Sequence, residues 1–248
     1  MENEIKQQII YGRNAVSEAL SSDKEIDTIF VQRGASVGNI ISAAKKRGIV
    51  VKDVSEEKLA AVTGTQKHGG VAAELCACTY AELEDILEVS REKGTQPFII
   101  IADEIADPHN LGAIIRTAEA AGADGVIIPK RRSASLNATV FKTSAGAAAW
   151  IKVARVSNLV DAIKTLKKRN IWVWGMEADG SPFDKTDFNG GTAIVVGSEG
   201  FGLGRLVRES CDGVLSLPMN GKVNSLNASV SAGILMYEVV RQRTTPHN

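Results

Sequence analysis

The order of apolar and polar residues in the second part of the chain predicts alternating strands and helices. Residues 98–102 form an unbroken apolar run, which is typical of a strand covered on both faces. Similar short runs predict five further strands, at 125–128, 151–155, 171–175, 192–196 and 213–217. Helical spacing of apolar residues marks the segments between and after them, at 110–121, 137–149, 159–168, 203–210 and from 225 onward. This alternation predicts an α/β fold with a mainly parallel sheet and helices on both sides.

The first part of the chain predicts a smaller α/β unit. After a polar start at 1–8, residues 11–20 predict a tight turn and a short helix. Further on, strands are predicted at 26–31, 49–54 and 71–76, with helices at 37–47 and 55–62. Residues 80–93, acidic and then basic, predict an exposed helix, and Gly94-Thr-Gln-Pro97 is a plausible boundary. The pattern therefore divides the chain into a small domain at 8–79, a linker at 80–96 and a larger domain at 97–243.

Composition narrows the range of partners and compartments. Lysine and arginine together number 29, as do aspartate and glutamate, so any nucleic acid would have to bind a local basic patch. The three cysteines, Cys76, Cys78 and Cys211, form no Cys-x-x-Cys pair and indicate a reducing compartment. With only three histidines, we expect no metal site. No apolar run has the length of a membrane span and the first eight residues are not signal-like, so we expect a soluble, cytoplasmic protein.

Three predicted strands end in turns rich in polar residues and glycine. The first turn precedes Asn110, a candidate helix N-cap, and Gly112 leaves that helix open to close approach. Arg116 lies further along the same helix, and its long side chain can lean back toward the strand end. In open α/β sheets ligands bind at the carboxyl ends of the strands. We therefore expect the three turns to build one site, although each alone could be a simple helix cap.

The second turn, Val195-Val-Gly-Ser-Glu-Gly-Phe-Gly-Leu-Gly204, sets Glu199 among four glycines. It resembles the glycine motif of Rossmann-type methyltransferases and dehydrogenases, but that motif belongs on the first strand of a doubly wound domain. Here only one strand and one helix follow, which argues against that class. A Walker motif is absent from the sequence, so a phosphate-cradling NTPase is not expected. The third turn adds the side-chain amides of Asn224 and Asn227.

Together these motifs resemble the three signatures of the TrmH (SpoU) family of RNA methyltransferases, a branch of the SPOUT superfamily. The matching segments are Asp107-Pro-His-Asn-Leu-Gly112 with Arg116-Thr-Ala118, Val196-Gly-Ser-Glu-Gly-x-Gly202, and Leu217-Pro-Met-x-Gly221 with Ser225-Leu-Asn-x-Ser229. Residues 8–79 resemble the small substrate-binding domain of the ribosomal-RNA members, through Gly12-Arg-Asn-Ala-Val16 and Lys67-His-Gly-Gly-Val-Ala72. The arrangement is most similar to RlmB-like enzymes, which methylate a guanosine ribose in large-subunit (23S) rRNA.

The resemblance implies a C-terminal trefoil knot, a homodimer and S-adenosylmethionine as cofactor. It also assigns roles by position in the motifs. The residues that would line the cofactor pocket are Gly197, Leu217, Met219 and Leu226. The catalytic residues, which would face the reacting ribose, are Asn110, Arg116, Glu199, Ser225 and Asn227. An arginine is protonated at any accessible pH, so Arg116 is better suited to holding the neighbouring phosphate than to acting as the base.

Basic residues in both domains are candidate contacts to RNA phosphates. Lys130, Arg131 and Arg132 follow the strand at 125–128, close to the expected site. Arg13 and Lys67 are candidates in the small domain, and an ordinary solvated loop is the alternative for each group. Two other functions stay open: a tRNA 2′-O-methyltransferase of the same family, and a non-catalytic RNA-binding factor in ribosome assembly.

Overall fold

The computed structural model describes residues 9–22 and 24–244 of the 248-residue chain. The chain divides into two compact units, Met1–Thr79 with Ser135–Thr139, and Tyr80–Ala134 with Val140–Asn248. The predicted polar start at 1–8, which includes the first residue of the predicted small domain, lies outside the described residues.

The smaller unit contains a mixed sheet rather than a purely parallel one. Its elements are β1 (Ile9–Tyr11), α1 (Arg13–Ser21), β2 (Ile26–Gln32), α2 (Gly38–Lys46), β3 (Val50–Val54), α3 (Glu56–Thr63) and β4 (Val71–Leu75). The strand order is β1-β4-β2-β3, in which only β2 and β3 run parallel. The sequence pattern missed β1, because three residues are too short to show an alternation. The oxygen Oγ of Ser55 accepts a hydrogen bond from the Lys58 amide and caps α3, the helix predicted at 55–62.

The larger unit is a six-stranded, all-parallel sheet flanked by helices, which confirms the predicted fold class. Its strands are β5 (Phe98–Ala102), β6 (Gly125–Pro129), β7 (Lys152–Val156), β8 (Trp172–Pro182), β9 (Thr192–Val196) and β10 (Gly213–Ser216). Their order is β10-β8-β9-β5-β6-β7. The helices are α4 (Leu83–Lys93), α5 (Pro108–Ala120), α6 (Ala138–Thr143), α7 (Leu159–Lys168), α8 (Arg205–Ser210) and α9 (Ala228–Thr244), with short 3-10 helices at Ala147–Ala149 and Phe183–Lys185.

Two predicted helices were wrong in part. The helix expected at 137–149 stops at Thr143, because Ala145 and Gly146 take φ angles of 52° and 85°, which no α-helix contains. The helix expected to lie exposed at 80–93 is α4, and its Ile86 and Leu87 are buried in the apolar core beside the sheet. The many charged residues of α4 suggested full exposure, but the helix is amphipathic and its apolar face packs against the sheet.

Two element bounds near the polar turns also differ from the prediction. Strand β8 continues to Pro182 instead of ending at 175, since its second half pairs with β10 after a register shift at Val214/Leu215. Helix α9 begins at Ala228 rather than at 225, which leaves Ser225 and Asn227 in the turn.

The sheet order determines which turns become neighbours. Strand β9 lies between β8 and β5, and all residues of β5 and β9 are buried. Helix α9 packs against α5, where a side chain at Gly233 would meet Thr117. The carboxyl ends of β5, β8 and β9 therefore open at one edge of the sheet. Among residues 9–22 and 24–244 the structure contains no helix that is both long and apolar enough to cross a bilayer.

Candidate active site

A hydrogen-bonded cluster of three side chains joins the three polar turns. The Nδ2 atom of Asn227 donates to Oδ1 of Asn110 over 2.9 Å and to Oε1 of Glu199. Asn110 belongs to the first turn and its helix, Glu199 to the second turn and Asn227 to the third. The three turns therefore meet, as the sequence predicts.

The orientation of the Asn227 amide is fixed by the start of α9. Its Oδ1 atom accepts hydrogen bonds from the Ser229 amide at 3.0 Å, the Ser229 hydroxyl at 2.6 Å and the Val230 amide at 3.3 Å. This is the bonding of a helix N-cap, in which the side-chain oxygen satisfies free amides of the first turn. Because the oxygen is held by the helix, the nitrogen faces Asn110 and Glu199.

Asn110 is not the N-cap of α5, contrary to the sequence prediction. Asp107 caps the helix by accepting a 2.9 Å hydrogen bond from the His109 amide. Pro108 occupies the first helical position, where a backbone N–H would have no partner within the helix, so the missing N–H of proline costs nothing. Asn110 is the third residue of the helix and is buried. The predicted close approach at Gly112 is confirmed, since an added Cβ would lie 1.9 Å from Oγ1 of Thr143.

The second turn folds back on itself over five residues. Ser198 and Gly202 exchange two backbone hydrogen bonds of 3.0 Å, and Gly200 and Gly202 take φ angles of 86° and 66°. A Cβ at Gly197 would lie 2.3 Å from the carbonyl carbon of Gly202. Gly197 therefore has no room for a side chain, whereas the aromatic ring of Phe201 at the tip is 93% exposed.

A cavity of about 860 Å³ lies beside this cluster and is formed by the larger unit alone. All four residues expected to line a cofactor pocket do line it: Gly197, Leu217, Met219 and Leu226. Three of the predicted catalytic residues, Glu199, Ser225 and Asn227, also lie in its wall. The cavity is thus built from the second and third turns, with a polar corner at the cluster.

One wall of the cavity was not anticipated. It consists of the second half of β8 and a residue of α8, namely Met176, Glu177, Ala178, Asp179 and Arg208. The sequence pattern missed it because β8 was predicted to end at 175. The polar pair at Glu177 and Asp179, directly after an apolar strand, is the signal that could have revealed a fourth contributing segment.

The charged groups of this wall are paired with one another. The Arg208 guanidinium binds Oε2 of Glu177 and, at 3.0 Å, Oδ2 of Asp179. The hydrogen bond that Arg208 donates to Asp179 and the charge of Glu177 raise the pKa of Arg208 above its ordinary value. Nearby, the buried Asp103 accepts a 2.7 Å hydrogen bond from the Gly204 amide, and burial raises the pKa of its carboxyl group.

Arg116 is the one predicted catalytic residue that the fold brings neither to the cluster nor to the cavity. It is exposed on α5, does not line the cavity, and makes no hydrogen bond or ion pair within the described part of the chain. It lies six positions after Asn110, which places the two side chains about 120° apart around a helix with 3.6 residues per turn. Arg116 therefore lies on a different face of α5 from Asn110.

The predicted RNA-contacting residues fall into one group in each unit. Lys130, Arg131 and Arg132 follow β6, and Arg132 pairs with Glu104, in the loop after β5, at 3.0 Å. In the smaller unit, Nε of Arg13 donates to the Gly69 carbonyl at 3.2 Å, two residues after the exposed Lys67. The structure thus brings the two motifs of the small unit together. It groups no three histidine, cysteine or acidic residues as a metal site within the ranges that it describes.

Comparisons with known proteins agree with this architecture. The family model described as "SpoU rRNA Methylase family" matches residues 97–237, and the one described as "RNA 2'-O ribose methyltransferase substrate binding" matches residues 9–81. The chain is 48% identical over 238 residues to YacO of Bacillus subtilis (strain 168), which is assigned to the TrmH family of tRNA/rRNA methyltransferases; the match covers 94% of this chain and 95% of YacO.

Two solved structures share the fold. The SpoU methyltransferase AviRb from Streptomyces viridochromogenes, solved in complex with AdoMet, superposes with a TM-score of 0.62 at 23% identity, over 97% of this chain and 92% of that one. The TrmH/SpoU tRNA modifying enzyme of A. aeolicus superposes with a TM-score of 0.55 at 28% identity, over 65% of this chain and 84% of that one.

Proposed function

The chain belongs to the SpoU (TrmH) family of tRNA/rRNA methyltransferases, and from this we propose that it transfers a methyl group from S-adenosylmethionine to a ribose 2′-oxygen of RNA. The proposed substrate is a guanosine of 23S rRNA. The observation that carries the proposal is the Asn110–Asn227–Glu199 cluster at the edge of a cavity large enough for a nucleoside cofactor. The cluster supplies hydrogen-bonding groups where a hydroxyl must be aligned.

The residues around the cavity fit S-adenosylmethionine. Leu217, Met219 and Leu226 offer apolar contacts for an adenine ring, and Gly197, which has no side chain, lines the same cavity. When bound, the cofactor supplies an electrophilic methyl group. The protein must then hold the RNA hydroxyl in line, keep water out and provide for the proton that leaves the oxygen.

Glu199 and Asn227 are the proposed groups that orient the hydroxyl. Oε1 of Glu199 accepts from Asn227, while its second carboxylate oxygen makes no hydrogen bond to any described residue and can accept one from the ribose. Asn227 and the buried Asn110 hold that carboxylate in place through a chain of two hydrogen bonds. Ser225, in the same wall, is a further proposed contact to the substrate.

A homodimer would give Arg116 a role despite its distance from the cluster in its own protomer. Helix α9 exposes Val230, Ile234 and Tyr237, which are spaced to share one face, and α9 packs against α5, the helix that carries Arg116. We propose that a second copy covers this face and that Arg116 then holds an RNA phosphate at the partner's cavity. Mixing inactive variants, as set out in the Discussion, tests this arrangement.

The C-terminal trefoil knot is a further part of the proposal. It is supported by family membership and by the path of the chain, in which β10 pairs with the outer side of β8 while α9 returns to pack on α5 and β9. A backbone trace of an experimental structure, closed between its ends, would establish or remove the knot. The cytoplasm is the proposed location, because the substrate of the family is RNA.

RNA binding is proposed to use both units. In the smaller unit Arg13 and Lys67 contact phosphates, and in the larger unit Lys130, Arg131 and Arg132 do so at the carboxyl edge of the sheet. The substrate-binding family match at residues 9–81 supports the first group, and the position after β6 supports the second.

The deciding experiment is transfer of labelled methyl to unmodified 23S rRNA and, separately, to tRNA, followed by alkaline hydrolysis. A 2′-O-methyl group removes the hydroxyl that attacks the adjacent phosphate, so the label should remain in an alkali-resistant dinucleotide. Label in 23S rRNA with guanosine at the 5′ position of that dinucleotide is the expected result. Label in tRNA would move the substrate and favour the alternative enzyme, and absence of transfer to RNA and to ribosomal particles would favour the assembly factor.

A further inference from the structure

Strand β9 lies between β8 and β5 in the sheet. A carboxylate from each of these two segments accepts a hydrogen bond from the glycine turn that follows β9. Glu177, on β8, accepts a hydrogen bond from the Leu203 amide through Oε1 at 2.9 Å. Asp103, directly after β5, accepts from the next amide, that of Gly204, at 2.7 Å. Two consecutive backbone amides at the end of the glycine turn are therefore held by carboxylates from the two strands that flank β9.

These two hydrogen bonds act at the end of the turn, where the side chain of Leu203 is buried in the core beside the sheet. The beginning of the turn is closed by the paired hydrogen bonds of Ser198 and Gly202 and by the tight packing of Gly197. Beyond Gly202 the chain must leave the turn and enter α8, and the amides of Leu203 and Gly204 are the donors available there. Bonds from a charged acceptor to such amides are stronger than neutral ones.

Glu177 also ties the turn to the opposite wall of the cavity. Its second oxygen binds Arg208 on α8, and Arg208 binds Asp179 two residues further along β8. The Glu177 side chain is only 15% exposed, so this ion pair is shielded from solvent more than a surface pair is. Close contact extends to the backbone, since a Cβ at Gly202 would lie 2.6 Å from Oε1 of Glu177.

From these contacts we propose that Glu177 is a positioning residue of the cofactor pocket. It holds the glycine turn in its cavity-forming shape through the Leu203 amide, and it holds Arg208 and Asp179 in the facing wall. The inference rests on the proposed function in that the ligand of this cavity is taken to be S-adenosylmethionine. Glu177 acts on the cofactor through the turn, so its loss should weaken cofactor binding rather than the methyl-transfer step.

The test compares Glu177→Ala, Glu177→Gln and the wild-type protein in calorimetric titration with S-adenosylmethionine. The glutamine keeps an acceptor for the Leu203 amide, so its Kd should stay within about threefold of wild type, whereas the alanine should raise Kd about tenfold or more. At saturating cofactor, kcat should change by less than about threefold in both. Glu84→Ala is the matched control, because Glu84 forms a carboxylate–guanidinium pair with Arg169 outside the cavity wall.

An unchanged Kd in a folded Glu177→Ala protein would overturn the inference while leaving the proposed function intact. A wild-type protein that binds no cofactor would instead refute the proposed function. Amide hydrogen exchange then still tests the hydrogen bond between the Leu203 amide and Glu177, and it also covers the case in which Glu177→Ala is too unstable to titrate. In Glu177→Gln the neutral amide oxygen accepts a weaker hydrogen bond than the carboxylate does, so exchange at Leu203 should rise modestly while exchange at Ile100 in the central strand stays the same. Equal exchange at Leu203 in wild type and Glu177→Gln would contradict the positioning role.

Discussion

The side-chain amide of Asn227 donates to Oδ1 of Asn110 over 2.9 Å, across 117 positions of sequence. This single bond connects the first and third turns, and the same nitrogen reaches Glu199 in the second. Since the Asn227 oxygen is used by the start of α9, the residue serves both the helix and the site.

Asn227→Ala should therefore reduce methyl transfer strongly while costing modest stability. Loss of a group that aligns the reacting hydroxyl is expected to lower kcat about 100-fold, and loss of the N-cap should lower the free energy of unfolding by about 1 kcal/mol. Methyl-transfer kinetics and denaturant unfolding measure the two effects. Asn220→Ala, in the same turn but outside the cavity wall, is the matched control. A kcat within threefold of wild type would remove Asn227 from the proposed catalytic set.

Arg116→Ala should abolish methyl transfer without changing stability or cofactor affinity. The side chain is exposed and bonded to no other described residue, so its removal should change the free energy of unfolding by less than about 0.5 kcal/mol. Arg91→Ala, another exposed helical arginine, controls for the loss of positive charge and should retain activity. Thermal unfolding, cofactor titration and the transfer assay separate the three effects.

Mixing two inactive variants tests whether Arg116 acts at the partner's cavity. In Arg116→Ala and Glu199→Ala proteins mixed in equal amounts, half of the dimers pair the two variants, and one of the two sites in each would be intact. Activity should then return to about one quarter of wild type. If Arg116 serves its own protomer, the mixture should stay inactive. A protein that sediments as a monomer at assay concentration would contradict the proposed dimer itself.

The parallel sheet and the meeting of the three turns could be predicted from the sequence, because both follow from local signals. Unbroken apolar runs such as 98–102 indicate buried parallel strands, and polar turns after such strands lie at one edge. The two errors near the site have different causes. Strand β8 runs to Pro182 because β10 pairs with it, which is a tertiary contact that the local pattern does not show. The N-cap of α5 is a local feature that was misread: Pro108 favours the first helical position, so Asp107 is the cap and Asn110 lies inside the helix, where it is buried.

Gly197→Ala tests the shape of the glycine turn directly. The added methyl would overlap the backbone of Gly202 at 2.3 Å, and backbone cannot move aside as a flexible side chain does. Cofactor affinity should fall by more than about tenfold, with a stability loss of about 1–3 kcal/mol. Gly190→Ala is the control, because the structure leaves open space there. Equal cofactor binding by Gly197→Ala and wild type would show that the turn does not form the pocket wall.

Arg243, near the end of α9, forms hydrogen bonds with the segments that precede β5 and β9. Its guanidinium donates to four backbone carbonyls, those of Gln96, Pro97, Phe188 and Gly190, at 2.7–3.0 Å. Burial of the group lowers the pKa of Arg243, although the charge persists at neutral pH. Arg243→Leu removes all four of these charge-assisted hydrogen bonds, while Thr192 still donates to the carbonyls of Pro97, Phe188 and Gly190. The variant should lower the free energy of unfolding by about 2–4 kcal/mol.

The control for Arg243 lies two residues earlier on the same helix. Arg241→Ala removes an exposed arginine that pairs with Glu238, a type of pair that contributes less than about 1 kcal/mol. Denaturant unfolding of both variants beside wild type measures the difference. Similar losses in the two variants would show that the carbonyl contacts of Arg243 add little to stability.

Asp103→Asn should change how stability depends on pH. Burial raises the pKa of Asp103 in the folded protein, so the folded state holds the proton to higher pH than the unfolded chain, in which the carboxyl group ionises near its usual pKa of about 3.9. The wild-type protein therefore has the full contribution of this group below that value and loses it as the pH rises through the folded pKa. Asparagine does not ionise, so the stability of Asp103→Asn does not fall with rising pH through this group.

The asparagine oxygen can still accept from the Gly204 amide, whereas Asp103→Ala removes the acceptor as well as the charge. Chemical denaturation between pH 3 and 8 should show that Asp103→Asn gains stability relative to wild type as the pH rises, while Asp103→Ala is less stable than Asp103→Asn at every pH. Parallel pH profiles for wild type and Asp103→Asn would contradict the desolvation of this carboxylate. In that case its 2.7 Å bond to the turn would have to balance the cost of burying the charge.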